Sequence, residues 1–123
     1  MKISAEQIVE NWRLLHEVID TTFKDERLEN IKKLHDHFED RMQIAPASAT
    51  KWFHNAFPGG YTAHVLNVIR WSLEYWKLFE KMGMHVDDLD KETIVFCAMF
   101  HDLGKIGDKD TSYYITQPDD WKA

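Results

Sequence analysis

The chain has 123 residues, of which 44% are hydrophobic and 13% are aromatic. This length accommodates one hydrophobic core, so we expect a single domain over residues 1–123, and the composition excludes a disordered chain. The formal net charge of −6 gives no global basic surface. A protein that binds nucleic acid nonspecifically through the phosphate backbone is therefore not expected.

The cysteine usage and the apolar runs favour a cytoplasmic protein with no membrane contact. The single cysteine, Cys97, cannot form an intrachain disulfide, and its apolar neighbours predict a buried position. Glu6 and Glu10 interrupt the N-terminal region before an apolar secretory segment can form. The longest apolar run, residues 94–100, is too short to span a bilayer.

The first 42 residues predict two amphipathic helices. Ser4 and Gln7 form a capping-box pattern, and apolar residues at helical spacing predict a helix over residues 4–22. A second helix follows Asp25, with an apolar stripe made of Leu28, Ile31, Leu34, Phe38 and Met42. Four histidines in polar contexts are expected at the surface: His16, His35, His37 and His85.

The middle of the chain predicts a break and then a long helix. Pro46 suits either a turn or the first position of a short helix that reaches residue 56, and the sequence Pro58-Gly59-Gly60 ends that segment. Apolar residues at helical spacing predict a helix over residues 61–82, ended by Gly83. Trp71 and Trp76 are expected to pack on one face of this helix.

The last part of the chain predicts one buried helix and an irregular tail. Asp90 is a good N-cap for a buried helix over residues 91–103, which Gly104 would end. Residues 106–123 are polar and show no period. No alternating strand pattern occurs, so the sequence predicts an all-α domain of about five helices.

The dipeptide His101-Asp102 ends the most hydrophobic stretch of the chain. Burial penalises two ionisable groups, and the negative end of a helix dipole further disfavours a carboxylate. A divalent cation would reverse both penalties. If the two helices pack antiparallel, His64 in the first turn of the long helix would lie beside this pair.

Two imidazoles and a carboxylate form a mixed nitrogen and oxygen donor set. Such a set suits manganese, iron, cobalt, nickel or zinc, with magnesium as a further candidate. Three protein ligands leave coordination positions open, which is typical of a catalytic site. A metal held this way can lower the pKa of a bound water to about 7.

The segment Phe100-His101-Asp102-Leu103-Gly104-Lys105 resembles the signature of the HD-domain metal-dependent phosphohydrolases. His54, followed by Pro58-Gly59-Gly60 and then His64, resembles a subgroup that carries a histidine, Gly-Gly, histidine segment before the His-Asp pair. A lone His-Asp pair is a weak signal. The resemblance is strong because His64 follows Gly-Gly and precedes His101 by 37 positions, and it covers roughly residues 46–107.

The resemblance implies a compact helical fold and hydrolysis of a nucleotide or another small phosphate ester by metal-activated water. It implies His64, His101 and Asp102 as metal ligands, and Asp102 with Lys105 as catalytic residues. Lys105 would neutralise a substrate phosphate, or complement the end of a helix, or both. His54 would lie beside the metal ligands or on the substrate side, or else pack beside Trp52 and Phe53.

The sequence also departs from this family. HD domains supply a further aspartate from a later helix, and many add two histidines for a second metal, whereas no histidine follows His101. The later carboxylates all lie in the predicted tail: Asp108, Asp110, Asp119 and Asp120. We therefore expect that the chain is the N-terminal portion of a longer protein, or a small HD-derived domain that binds metal weakly.

Two alternative functions remain open from the sequence. One is a catalytically silent binding or regulatory module, in which a homo-oligomer completes the site. The other is an HD-type di-iron oxygenase, although this requires ligands for two metals and the sequence offers three ligands.

Overall fold

The computed structural model describes residues 2–48, 55–84 and 89–108. These residues form five α-helices, α1 (Ala5–Thr22), α2 (Asp25–His37), α3 (Glu39–Ile44), α4 (Gly60–Lys81) and α5 (Lys91–Phe100). A short 3-10 helix, Leu103–Ile106, follows α5. No β-strand occurs in these three ranges, and the all-α prediction is confirmed.

Two helices begin at the N-caps that the sequence predicts. The Ser4 hydroxyl accepts a hydrogen bond from the backbone N–H of Gln7 at 3.1 Å, at the start of α1. The Asp90 carboxylate accepts from the backbone N–H of Thr93 at 2.7 Å, at the start of α5. Each cap satisfies a backbone donor that has no partner within its helix.

The predicted second helix is in fact two helices that meet at Phe38. The φ and ψ angles of Phe38 are −105° and 16°, although its N–H still bonds the carbonyl oxygen of Leu34 at 3.2 Å. Met42 follows the break and is fully buried in the core. The apolar spacing continues unchanged across the break, so periodicity alone predicted one helix.

The segment after α3 is not helical over residues 45–48, so the structure contradicts the alternative that a helix starts at Pro46. The segment is instead bound to the start of α4 through the backbone. The N–H of Tyr61 donates to the carbonyl oxygen of Ala45 at 2.8 Å, and the N–H of Gly59 donates to that of Ile44 at 2.9 Å. These bonds fix where α4 begins.

The core lies between α1, α4 and α5. Each helix contributes one buried stripe, and the main members are Trp12, Leu15 and Ile19 from α1, Tyr61, Val65 and Ile69 from α4, and Val95, Ala98 and Met99 from α5. The prediction that α5 is buried all round is wrong, since Phe96 and Cys97 are exposed. Residues 94–100 are all apolar, so the sequence of α5 contains no polar position there that would mark the outward face.

Two other expectations about single side chains are wrong. Trp71 does not pack on the core and is 54% exposed. His35 is buried rather than solvated, and His16 is half-buried beside it. His35 faces inward because its ring packs against those of Trp12 and Phe100, at centroid distances of 6.0 and 6.1 Å.

Within the described residues, no helix combines the length and the hydropathy that a membrane-spanning segment needs.

Candidate metal centre

The start of α4 and the end of α5 lie side by side, and each brings a histidine to the same point. His64 is in the second turn of α4, and His101 directly follows α5. Their Nε2 atoms are 3.2 Å apart. Asp102 Oδ2 lies 3.3 Å from His64 Nε2 and 3.1 Å from His101 Nε2.

These three atoms form a nearly equilateral triangle, and this shape fits the donor set of a metal ion. Neighbouring donors around an ion with metal–ligand distances near 2.1 Å lie about 3.0 to 3.4 Å apart in octahedral and tetrahedral shells. The three observed separations fall in that range. Among the described residues, His64, His101 and Asp102 form the group of ligating side chains close enough to share one ion.

A backbone hydrogen bond sets the tautomer of His101. Its Nδ1 lies 2.6 Å from the carbonyl oxygen of Ala98. A carbonyl oxygen only accepts, so Nδ1 carries a proton and donates it. The neutral ring then presents an Nε2 lone pair to the cluster, which is how metal-binding histidines are commonly oriented.

Lys105 supplies a positive charge beside the acidic member of the cluster. Its Nζ lies 3.5 Å from Asp102 Oδ2 and donates a hydrogen bond to the carbonyl oxygen of Ala47 at 2.8 Å. The 3-10 helix makes this contact possible, because it begins directly after Asp102 and brings Lys105 back toward the carboxylate. Lys105 therefore contacts both the cluster and the segment that precedes α4.

The cluster is less buried than the sequence indicated. The exposed fractions of the side chains are 15% for His64, 36% for His101 and 19% for Asp102. The predicted penalty for burying His101 is therefore small. The Lys105 ammonium offsets part of the larger cost at the Asp102 carboxylate, whereas the Nε2 lone pair of a neutral His101 ring does not.

A protein-family model described as HD domain matches residues 61–121. The chain belongs to the HD-domain superfamily. No curated protein and no solved structure matches the chain. The matched region contains His64, His101, Asp102 and Lys105, and HD domains typically bind divalent metal ions through such residues.

Two glycines let the HD domain begin α4 where His64 can reach the cluster. A Cβ on Gly60 would overlap the carbonyl oxygen of Asn55. Gly59 has a φ of 84°, and a Cβ there would lie 2.7 Å from Cγ1 of Ile8. Only glycine tolerates both the close approach and the left-handed conformation.

Tyr61 is a neighbour of the site that the sequence interpretation missed. It is buried at the start of α4, and burial together with the Asp102 carboxylate raises the pKa of its hydroxyl. Its phenol therefore stays neutral. The signal was available, since Tyr61 precedes His64 by three residues and so shares its side of the helix.

The remaining sequence candidates do not join the cluster in the part of the HD domain that is described. Asp108 is exposed, and its backbone carbonyl accepts a hydrogen bond from Arg41. His54, Asp110, Asp119 and Asp120 lie outside the described residues, as does the predicted irregular tail beyond residue 108.

Proposed function

We propose that the protein is a metal-dependent phosphohydrolase that acts on a nucleotide or another small phosphate ester. The observation that carries this proposal is the convergence of His64 Nε2, His101 Nε2 and Asp102 Oδ2 in an HD domain, with the Lys105 ammonium beside them. His64, His101 and Asp102 would hold the metal, with manganese, iron, cobalt, nickel, zinc or magnesium as candidates.

When bound, a divalent ion at such a site polarises a phosphoryl oxygen and lowers the pKa of coordinated water. The protein contributes positioning. The Ala98 carbonyl fixes the His101 ring, and the Gly59-Gly60 turn fixes the start of α4 and hence His64. Three protein donors leave room for water and for substrate, which distinguishes this set from a closed structural site.

The position of Lys105 favours a phosphate ester as the substrate. The chain has a formal net charge of −6, so an anionic substrate needs a local cation. The Lys105 side chain is 30% exposed and lies at the edge of the cluster. Its ammonium would offset the charge that develops on the phosphoryl oxygens during cleavage.

Metal analysis and a hydrolysis assay together test the proposal. The purified chain would be loaded with each candidate metal and assayed for phosphate release from nucleoside mono-, di- and triphosphates and from p-nitrophenyl phosphate. His64→Ala should lose the metal and the activity, whereas His37→Ala, at an exposed histidine of α2, should retain both. Lys105→Met should keep the metal and lose activity by roughly 10- to 100-fold.

Two results would contradict the proposal. If the wild-type chain binds no divalent metal, or if His64→Ala leaves metal content and hydrolysis unchanged, the assigned ligands are wrong. If metal binding depends on His64 but none of these phosphate esters is cleaved, the metal site stands and the hydrolase assignment is wrong.

A further inference from the structure

The second half of α4 packs on the core through Leu73 and exposes an apolar surface on its other side. Ile69 is the last fully buried residue of this helix, and within residues 70–81, all of which the structure describes, Leu73 and Trp76 are half-buried. Large apolar side chains in and directly after this half are nevertheless 41% to 68% exposed. We call them the α4 apolar stripe, and they are Trp71, Tyr75, Leu78, Phe79, Met82 and Met84.

The size of this surface matches one side of a protein interface. At about 200 to 250 Å² for each large side chain, the exposed fractions correspond to roughly 700 Å², close to the 800 Å² or so that each partner contributes to a stable interface. The largest apolar patch of a typical monomer covers about 300 to 600 Å². The stripe therefore exceeds what a monomer usually leaves in water.

The spacing within the stripe is that of a helix-pairing seam. Trp71, Tyr75, Leu78 and Met82 are separated by four, three and four residues. This is the alternation of a and d positions in a heptad, where side chains of one helix insert between those of another. The rings of Tyr75 and Phe79 are already stacked, with centroids 6.3 Å apart, which widens the seam on one side.

The charges beside the seam favour a second copy of the same helix in antiparallel orientation. Glu74 and Lys81 occupy the same flank, one heptad apart. In a two-fold antiparallel pair, Glu74 of each copy lies next to Lys81 of the other, so both opposite charges are matched. Within one copy, the structure describes one ion pair of the exposed Glu74 carboxylate, with Lys77 at 3.6 Å. Such an exposed pair is weak, so Glu74 can turn toward another cation.

We infer that the α4 apolar stripe is the interface of a symmetric homodimer, with two α4 helices packed antiparallel through their C-terminal halves. The candidate metal centre stays open in this arrangement. His64 precedes Tyr75 by eleven residues, which corresponds to about 16 Å along the helix axis. The inference is therefore independent of the proposed function.

Light scattering coupled to size exclusion tests the dimer. The wild-type chain should have twice the 14.6 kDa chain mass at about 100 µM and should dissociate on dilution. Leu78→Glu should weaken the dimer by at least about 30-fold. Val9→Glu, at an apolar residue of α1 that is also exposed, should leave the dimer intact. Circular dichroism should show the same helix content in all three proteins.

Charge reversal tests the antiparallel arrangement. Glu74→Lys and Lys81→Glu should each weaken the dimer, and the double variant should recover it, because the exchanged charges match again. A wild-type chain that stays monomeric at about 100 µM, or a dimer that survives Leu78→Glu, overturns the interface. A double variant that is weaker than both single variants overturns the antiparallel pairing.

Discussion

Gly60 occupies a position where any side chain would collide with the backbone of the preceding turn. A Cβ would overlap the carbonyl oxygen of Asn55, and that backbone is held in place by the bond from the N–H of Ala47 to the same oxygen at 3.0 Å. The collision cannot be relieved by rotating a side chain. The start of α4, and with it His64, would have to move.

Gly60→Ala should therefore destabilise the fold by about 2 kcal/mol or more. Gly104→Ala is the matched control, since a Cβ at Gly104 has no heavy atom within 4 Å. The control should change stability by less than about 0.5 kcal/mol. Urea unfolding followed by circular dichroism measures both variants, and equal stability of the two would show that the turn can relax.

At single residues, the sequence was most informative where chemistry and spacing agreed. His64, His101 and Asp102 were selected as ligands by the resemblance and by their places at two helix ends, and the structure brings their donor atoms together. The predicted environments of His35 and Cys97 are wrong, since local sequence alone does not determine burial. Their burial depends on which neighbouring helix covers each face.

Among the elements, His35 joins three helices at one packing point. The ring lies on α2, contacts Trp12 and His16 of α1, and meets Phe100 at the end of α5. Its Nδ1 donates to the carbonyl oxygen of Ile31 at 2.8 Å. Burial lowers the pKa of His35, with a smaller contribution from the neighbouring His16.

The lowered pKa of His35 should make the fold sensitive to acid. Above the ordinary histidine pKa of about 6.5, the ring is neutral in both the folded and the unfolded chain, and its stabilising contacts are complete. Below it, the unfolded chain takes up the proton first, so stability falls as the pH drops toward the folded-state pKa. The loss is at most about 1.4 kcal/mol for each pH unit in that window.

Urea unfolding between pH 5 and pH 8 measures this effect. His35→Gln should flatten the dependence of the unfolding free energy on pH, because glutamine does not titrate. His37→Gln, at an exposed histidine of the same helix, should keep the wild-type slope. An unchanged slope in His35→Gln would assign the acid sensitivity to other groups.

The sequence predicts where helices begin and end better than it predicts a break within a helix. The N-caps at Ser4 and Asp90 and the end of α4 before Gly83 rest on local chemistry, and the structure agrees with each. The break at Phe38 rests on tertiary packing. The Trp12 indole donates to the Glu39 carboxylate at 3.2 Å across 27 residues, and no local pattern encodes such a contact.

For the whole molecule, the candidate metal centre connects two helices that are adjacent in the core. His64 belongs to α4, whereas His101 and Asp102 follow α5, and 37 positions separate the two histidines. A ligand that binds both helices in the folded chain, and neither in the unfolded chain, stabilises the entire domain.

Metal addition should therefore raise the unfolding temperature. At a free metal concentration of 100 times the Kd, the gain is about 2.7 kcal/mol. Differential scanning calorimetry with and without manganese measures the shift, and a chelator should reverse it. His64→Ala should lose the shift while His37→Ala keeps it; an equal shift in both variants would place the metal elsewhere.

The Lys105 ammonium donates a hydrogen bond to a backbone carbonyl that is distant in sequence. Its hydrogen bond to the Ala47 carbonyl spans 58 residues and fastens the segment before α4 to the 3-10 helix. An ammonium has three N–H donors, so a phosphate that reaches Lys105 would share it with the Ala47 carbonyl and need not displace that carbonyl. The cation beside the cluster is thus held by a segment that is distant in sequence, and a phosphate would meet a donor whose position is already fixed.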